Sequence, residues 1–172
     1  MKIIEPPIIV EESFNKSAEI VWKAITQLDQ MKEWYFDNIP QFKTQVGFVT
    51  QFNVIAPSRD FLHIWKIIEV IPFQKIVYNW SFKECLGSAD VSFELFEADN
   101  KTLLKVTNKV IEDFDENIPD FKRESCQAGW NYFIKDNLSA KEIEDLSIEL
   151  GLLEKELEFK TQRWFELSEI SE

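Results

Sequence analysis

Strict alternation of apolar and polar residues dominates the middle of the chain and gives way to helical spacing after Pro119. Ile8, Val10 and Phe14 share one parity, with Glu12 the exception, which predicts a first strand over 8–14. Lys16-Ser17-Ala18-Glu19 then starts a helix. Ser17 is placed to accept a hydrogen bond from a first-turn amide, and Glu19 complements the helix dipole. Val21, Ala24, Ile25 and Leu28 form the buried stripe of that helix, with Trp22 beside it. Asp29 is placed to cap a second short helix through Trp34.

The strands follow. Phe48, Phe52 and Val54 share one face, and Ala56-Pro57-Ser58-Arg59-Asp60 reads as a turn. Phe61 to Val70 is apolar on both parities, so the pattern does not say which face is inward. Ile71-Pro72-Phe73 breaks it. Ile76, Tyr78, Trp80 and Phe82 alternate cleanly, Glu84 to Ser88 turns the chain, and Val91, Phe93 and Leu95 alternate again. Asp99-Asn100-Lys101 is a short hairpin turn. Leu104, Val106 and Val110 complete the sheet, with Asn108 on the same parity.

Past an acidic loop at 113–120, Pro119 suits a first helical turn. Cys126, Gly129, Trp130, Phe133 and Leu138 then mark one apolar face of a helix running from Pro119 to Leu138. The expected order is strand, two helices, about six strands and a long helix. This is an α+β layout, an antiparallel sheet wrapped around a long C-terminal helix, in a domain spanning 1–138. An acidic helical extension, 139–172, follows it.

Composition sharpens this. Fifteen Phe and six Trp in 172 residues supply rigid rings that either fill a core or line an apolar pocket. The candidate lining of such a pocket is Tyr78, Trp80, Phe82, Phe93, Val106, Asn108, Trp130 and Phe133. The net charge is −12, and half of it sits in residues 139–172, where ten acidic residues face four basic ones. That field disfavours nucleic acid and anionic membrane surfaces as partners, and no basic run exceeds Lys122-Arg123. No stretch approaches the roughly 20 apolar residues of a membrane span, and the opening Met1 to Pro6 ends its apolar run too early for a signal peptide. Two cysteines, Cys85 and Cys126, on different elements make neither a disulfide framework nor a metal motif, which points to a cytoplasmic location.

Several motifs, in this order, resemble the START-like helix-grip superfamily and, within it, the family named after the activator of the heat-shock protein 90 ATPase. Phe14 to Trp22 is similar to the family's passage from strand to helix, with Ser17 where a proline is usual. Glu69-Val70-Ile71-Pro72 with Ile76 to Trp80 resembles its central hairpin. Val91 to Leu95 and Thr102 to Val106 resemble its later strands, and Gly129-Trp130 its last-helix signature. The resemblance covers about 8–138 and has no counterpart for the tail. It implies a helix-grip fold in single-domain form. The eponymous chaperone activators use a further N-terminal domain, so a chaperone partner is only weakly implied, since fold does not carry function.

Candidate chemistry is sparse, and no catalytic residue is assigned. His63 is the only histidine, in the strand whose inward face is undecided. No spacing offers three metal ligands, and a chain with four glycines has no phosphate loop, so no metal or cofactor is expected. Glu112 to Glu116 is densely acidic but lacks the glycine and ligand order of a calcium loop. The first reading is therefore a binding module with an internal apolar cavity of at least ~300 Å³ for a small hydrophobic molecule. A protein-interaction module related to chaperone ATPase activators, its interior fully packed, is the second. A cyclase- or dehydratase-like enzyme using Tyr78 and Asn108 is the third, implied by the superfamily.

The tail carries its own pattern. Ser139-Ala140-Lys141-Glu142 has the form of a capping box. Ile143, Leu146, Leu150, Leu153, Leu157, Lys160, Trp164 and Leu167 then step by three and four, a heptad seam with one charged interruption. Residues 140–168 should be helical, bury Leu146, Leu150, Leu153, Leu157 and Trp164, and hold Lys160 with its stem covered and its ammonium out. The seam would either fold back on its own domain or pair two chains as a homodimer. Gly151 and Lys160 favour folding back with a break near the glycine.

Overall fold

A computed structural model describes residues 1–56, 59–99 and 101–140, and seven residues of the tail (152, 155–157, 159, 160 and 163). The chain divides into two units, Met1–Ser139 and Ala140–Glu172.

Unit one is a six-stranded antiparallel sheet: β1 (Ile8–Phe14), β2 (Val49–Ile55), β3 (Asp60–Ile71), β4 (Lys75–Phe82), β5 (Ser88–Ala98) and β6 (Lys101–Glu112), in the order β1-β6-β5-β4-β3-β2. Five strands follow the helices rather than about six. The chain leaves β1 at one edge, crosses through α1 (Ala18–Thr26) and α2 (Leu28–Trp34) to β2 at the other, and meanders back until β6 pairs with β1. The expected faces of β1, β4, β5 and β6 are those observed: Ile8, Val10, Phe14, Ile76, Tyr78, Val91, Phe93, Leu104 and Val106 are buried.

The undecided face of β3 is settled by a bulge. Phe61, His63, Trp65 and Ile67 point inward, but between Ile67 and Glu69 the register with β4 shifts by one residue. The extra residue reverses the parity, so that Val70 rather than Glu69 packs against the core. The turn into β5 depends on Gly87, at φ +107°. A Cβ there would run into the Phe114 ring and lie 2.8 Å from the Phe114 Cα, so no other residue fits without displacing Phe114.

Two helix expectations need correction. The Ser17 and Asp29 side chains do not cap their helices. Ser17 acts through its carbonyl, which accepts from the amides of Ile20 and Val21, and Asp29 lies in the first turn of α2 with Gln27 at its N-cap. The helix expected over 119–138 is three pieces. A 3₁₀ turn at Pro119–Phe121 ends at Lys122, whose backbone is extended. Then come α3 (Arg123–Asn131) and a π-helical stretch, Tyr132–Leu138. Phe121, Trp130, Ile134 and Leu138 are its buried positions, while Cys126 and Phe133 are half-buried. Trp130 packs against the Trp80 and Phe93 rings of the sheet, at 5.9 Å each, whereas Phe133 meets Tyr35 and Phe36 beyond α2. A long C-terminal helical segment on the inward face of an antiparallel sheet is the helix-grip arrangement.

In unit two, the described residues from Leu152 to Arg163 are helical. Lys160 pairs with Glu156 at 2.7 Å. Leu157, expected on the buried seam, is 67% exposed, as are the neighbouring Leu152 and Phe159 to similar extents. Ile143, Leu146, Leu150, Gly151, Leu153, Trp164 and Leu167 lie outside the described residues. Among the described residues no helix is long and apolar enough to cross a membrane.

Candidate functional site

The site is a hollow under α3. Its floor comes from inward positions of the sheet: Val54 on β2, Phe61 and His63 on β3, Trp80 and Phe82 on β4, Ala89 on β5 and Asn108 on β6. Its roof is the face of α3 marked by Cys126, Gly129, Trp130 and Phe133. Phe36, Phe114 and Phe121 close the sides, and Met1, Ile55, Ala56 and Asp120 complete the wall. The volume is about 430 Å³, within the range of small-molecule sites.

Two small residues keep this space open. Ala89 is paired with Trp80 on one side and Val110 on the other, so a methyl group stands in a row of large side chains. Above it, Gly129 sits inside α3, where glycine costs about 1 kcal/mol relative to alanine. Neither its backbone nor its neighbours demand it: its φ is not positive, and an added Cβ would meet nothing within 4 Å. The missing side chain at Gly129 leaves room in the cavity.

Of the eight residues expected to line a pocket, Trp80, Phe82, Asn108, Trp130 and Phe133 border this one. Tyr78, Phe93 and Val106 share the same inward faces but stand in the fully packed layer beside it. The phenol of Tyr78 meets that of Tyr35 at 2.9 Å, and Tyr35 itself lies between the Trp34 and Trp65 rings at 4.8 and 5.2 Å. Burial pushes both phenols well above their usual range, so both remain protonated.

His63 is the residue that the sequence pattern left unplaced. It is buried among the rings of Phe36, Phe52, Trp80 and Phe82, with centroids 4.9–5.5 Å away. Burial lowers its pKa to about 3, so the imidazole is neutral. Its Nδ1 has no hydrogen-bond partner, and neither do Trp80 Nε1 and Asn108 Oδ1. The amide nitrogen of Asn108 does have one, donating to Cys126 Sγ at 3.6 Å. Burial pushes the Cys126 thiol up to about 11, which keeps it a thiol rather than a thiolate. The inward parity of Phe61, Trp65 and Ile67 would have placed His63, had the bulge been legible in the sequence.

The carboxylates of the acidic loop find partners close by. Asp115 accepts from both the backbone and side-chain nitrogens of Asn117, which holds its carboxyl below the usual range. Asp113 accepts from the Ile3 amide. No group of three or more metal-ligating side chains occurs among the described residues.

Solved structures share this fold. An HSP90 activator from Plasmodium falciparum is 20% identical, with 77% of this chain and 93% of that one covered at a TM-score of 0.59. An Aha1 dimer from Colwellia psychrerythraea is 19% identical, covering 77% and 92% at 0.58. DynU16, from the dynemicin biosynthetic locus, is 18% identical at 0.61; 76% of this chain is covered, which spans only 45% of that protein. No curated protein matches the chain. Residues 15–141 match the profile of the family described as Activator of Hsp90 ATPase homolog 1-like protein, and the chain belongs to that family.

Proposed function

We propose that the chain is a non-catalytic binding protein for a small apolar molecule held in the cavity beneath α3, working in the cytoplasm. The observation that carries this is an aromatic-walled hollow of about 430 Å³ kept open by Ala89 and Gly129. An apolar-walled hollow of this size leaves ring surface uncovered that a guest would bury. The cavity speaks against the reading in which the same aromatics fill the interior of a protein-interaction module. A chaperone partner rests on the names of similar proteins alone. Chemistry is less well supported than binding. A histidine with a pKa near 3 is a feeble base at neutral pH, and Tyr78 is engaged with Tyr35 away from the cavity.

The test is Gly129→Leu. It adds a side chain where there is open space and raises helix propensity by about 0.8–1 kcal/mol. In the wild type, naphthalene should shift the indole NMR signals of Trp80 and Trp130, and native mass spectrometry should show a co-purified apolar mass. In Gly129→Leu both should vanish while thermal stability holds or rises. A wild type that leaves naphthalene unbound would overturn the proposal.

The tail is proposed to pair two copies of the chain. The exposed Leu152, Leu157 and Phe159 and the heptad spacing around them support this.

A further inference from the structure

Taking the tail as the element that pairs two copies, we propose that the β2 edges of the two copies then join antiparallel, making one continuous sheet. β2 ends the strand order, with β3 as its neighbour on one side. The bonds at its two ends fix which groups face outward. The Ile67 amide donates to the Phe48 carbonyl, and the Ala56 amide to the Arg59 carbonyl. Bonding alternates along an antiparallel strand, so Thr50, Phe52 and Val54 bond to β3. Val49, Gln51, Asn53 and Ile55 turn their N–H and C=O groups to the free side. Among the described residues only the Asn38 side chain bonds there, donating to the Asn53 carbonyl, which has a second lone pair to offer.

Open edges are normally protected by charge, proline or cover. At the far end of the sheet, β1 carries Glu11 and Glu12. It follows Pro6-Pro7, whose carbonyls accept from Arg123 at 2.6 and 3.2 Å. β2 has neither charge nor proline. It is the one strand of the six without a charged residue, in a chain where 29% of residues are charged.

The sequence of β2 is also complementary to itself. With Phe52 on the two-fold axis, Gln51 lies opposite the partner's Asn53, and Val49 opposite the partner's Ile55. Amide faces amide and aliphatic chain faces aliphatic chain in both halves, as an isologous contact requires. Val49 and Ile55 are 40% and 85% exposed in the single chain, so each has surface to give. The four facing pairs would form about eight backbone hydrogen bonds. Two chains of charge −12 meet here without bringing charges together.

The root of the tail lies near this edge. Asn137, at the end of unit one, donates to the Trp34 carbonyl at the end of α2, at 3.1 Å. Four residues further along, Asn38 touches β2. Seven residues of strand are a weak contact alone, so the truncated chain leaves the edge open. Paired tails raise the local concentration of one edge at the other to about the millimolar range.

Amide hydrogen exchange followed by NMR reads the edge residue by residue. In the chain truncated after Ser139, Val49, Gln51, Asn53 and Ile55 should exchange at least about a hundredfold faster than Thr50, Phe52 and Val54. In the full chain, under conditions where light scattering gives a dimer, the fast set should slow by at least about tenfold. Gln51→Pro removes an outward N–H and spares the ladder to β3, and it should weaken the dimer at least about tenfold. The exchange comparison needs no substitution, so it decides the matter even if the proline variant fails to fold. A dimer whose outer amides exchange as fast as in the truncated chain would overturn this inference and leave tail pairing intact. A folded Gln51→Pro chain that dimerises as tightly as the wild type would do the same. A full chain that is monomeric at high salt and high concentration would overturn tail pairing, and this inference with it.

Discussion

His63 shows how a residue's surroundings decide its chemistry. In water an imidazole titrates near 6.5, but here four uncharged rings surround it and hold its pKa at about 3. Between these two values the unfolded chain binds a proton that the folded chain refuses. The stability gained by keeping His63 neutral is therefore complete above pH 6.5 and is lost as pH falls toward 3. From pH 7.5 to 5.0 this should remove about 2 kcal/mol of unfolding free energy. Acidification also relieves repulsion in a chain of charge −12, which acts in the opposite direction. His63→Phe isolates the imidazole, since it keeps an aromatic ring in the cluster. Urea denaturation at both pH values should show the wild type losing about 2 kcal/mol relative to the variant. Parallel pH dependences would mean that the imidazole protonates in the folded state as readily as outside it.

At the scale of elements, the π-helical stretch after α3 decides which residues the last helical segment buries. Ile134 is fully buried and Tyr132 is 54% exposed, two residues apart. Ile134→Ala should cost about 2–5 kcal/mol, and Tyr132→Ala should fall within about 0.5 kcal/mol of the wild type, read from denaturation midpoints. Similar losses for the two would place the segment on a different face. The sequence pattern resolved the elements whose two faces differ in polarity. β1, β4, β5 and β6 alternate cleanly, and the helical spacing of Cys126, Gly129, Trp130 and Phe133 marks the roof of the cavity. It did not resolve β3, because an apolar residue follows an apolar one there and a bulge reverses parity midway. Nor did it reveal the extended Lys122 that breaks the helix, since no glycine or proline marks that position. For the cavity, parity shows which side chains turn inward but not what stands in front of them. Tyr78 and Trp80 lie on one face of one strand; the Tyr35 phenol meets the first, and open space fronts the second. Filled and empty space differ here by contacts with residues distant in sequence, which no local pattern encodes.

The whole molecule divides its charge and its apolar surface unevenly. Among the described residues, both core clusters are built from side chains before Ser139. Truncation after Ser139 should leave near-UV circular dichroism and naphthalene binding unchanged. The tail combines exposed Leu152, Leu157 and Phe159 with half the net negative charge of the chain. Burying each such side chain is worth about 1.5–3 kcal/mol, which favours pairing with a second copy. Six net negative charges on each tail oppose that pairing, and salt screens them, with a Debye length of about 10 Å at 0.1 M shrinking to 3 Å at 1 M. The full chain should therefore show a mass in light scattering that rises toward a dimer with protein concentration and with salt. The truncated chain should stay monomeric under all of these conditions. A full chain that remains monomeric at high salt and high concentration would rule out pairing through the tail. A truncated chain that dimerises as the full one does would move the contact to the sheet domain.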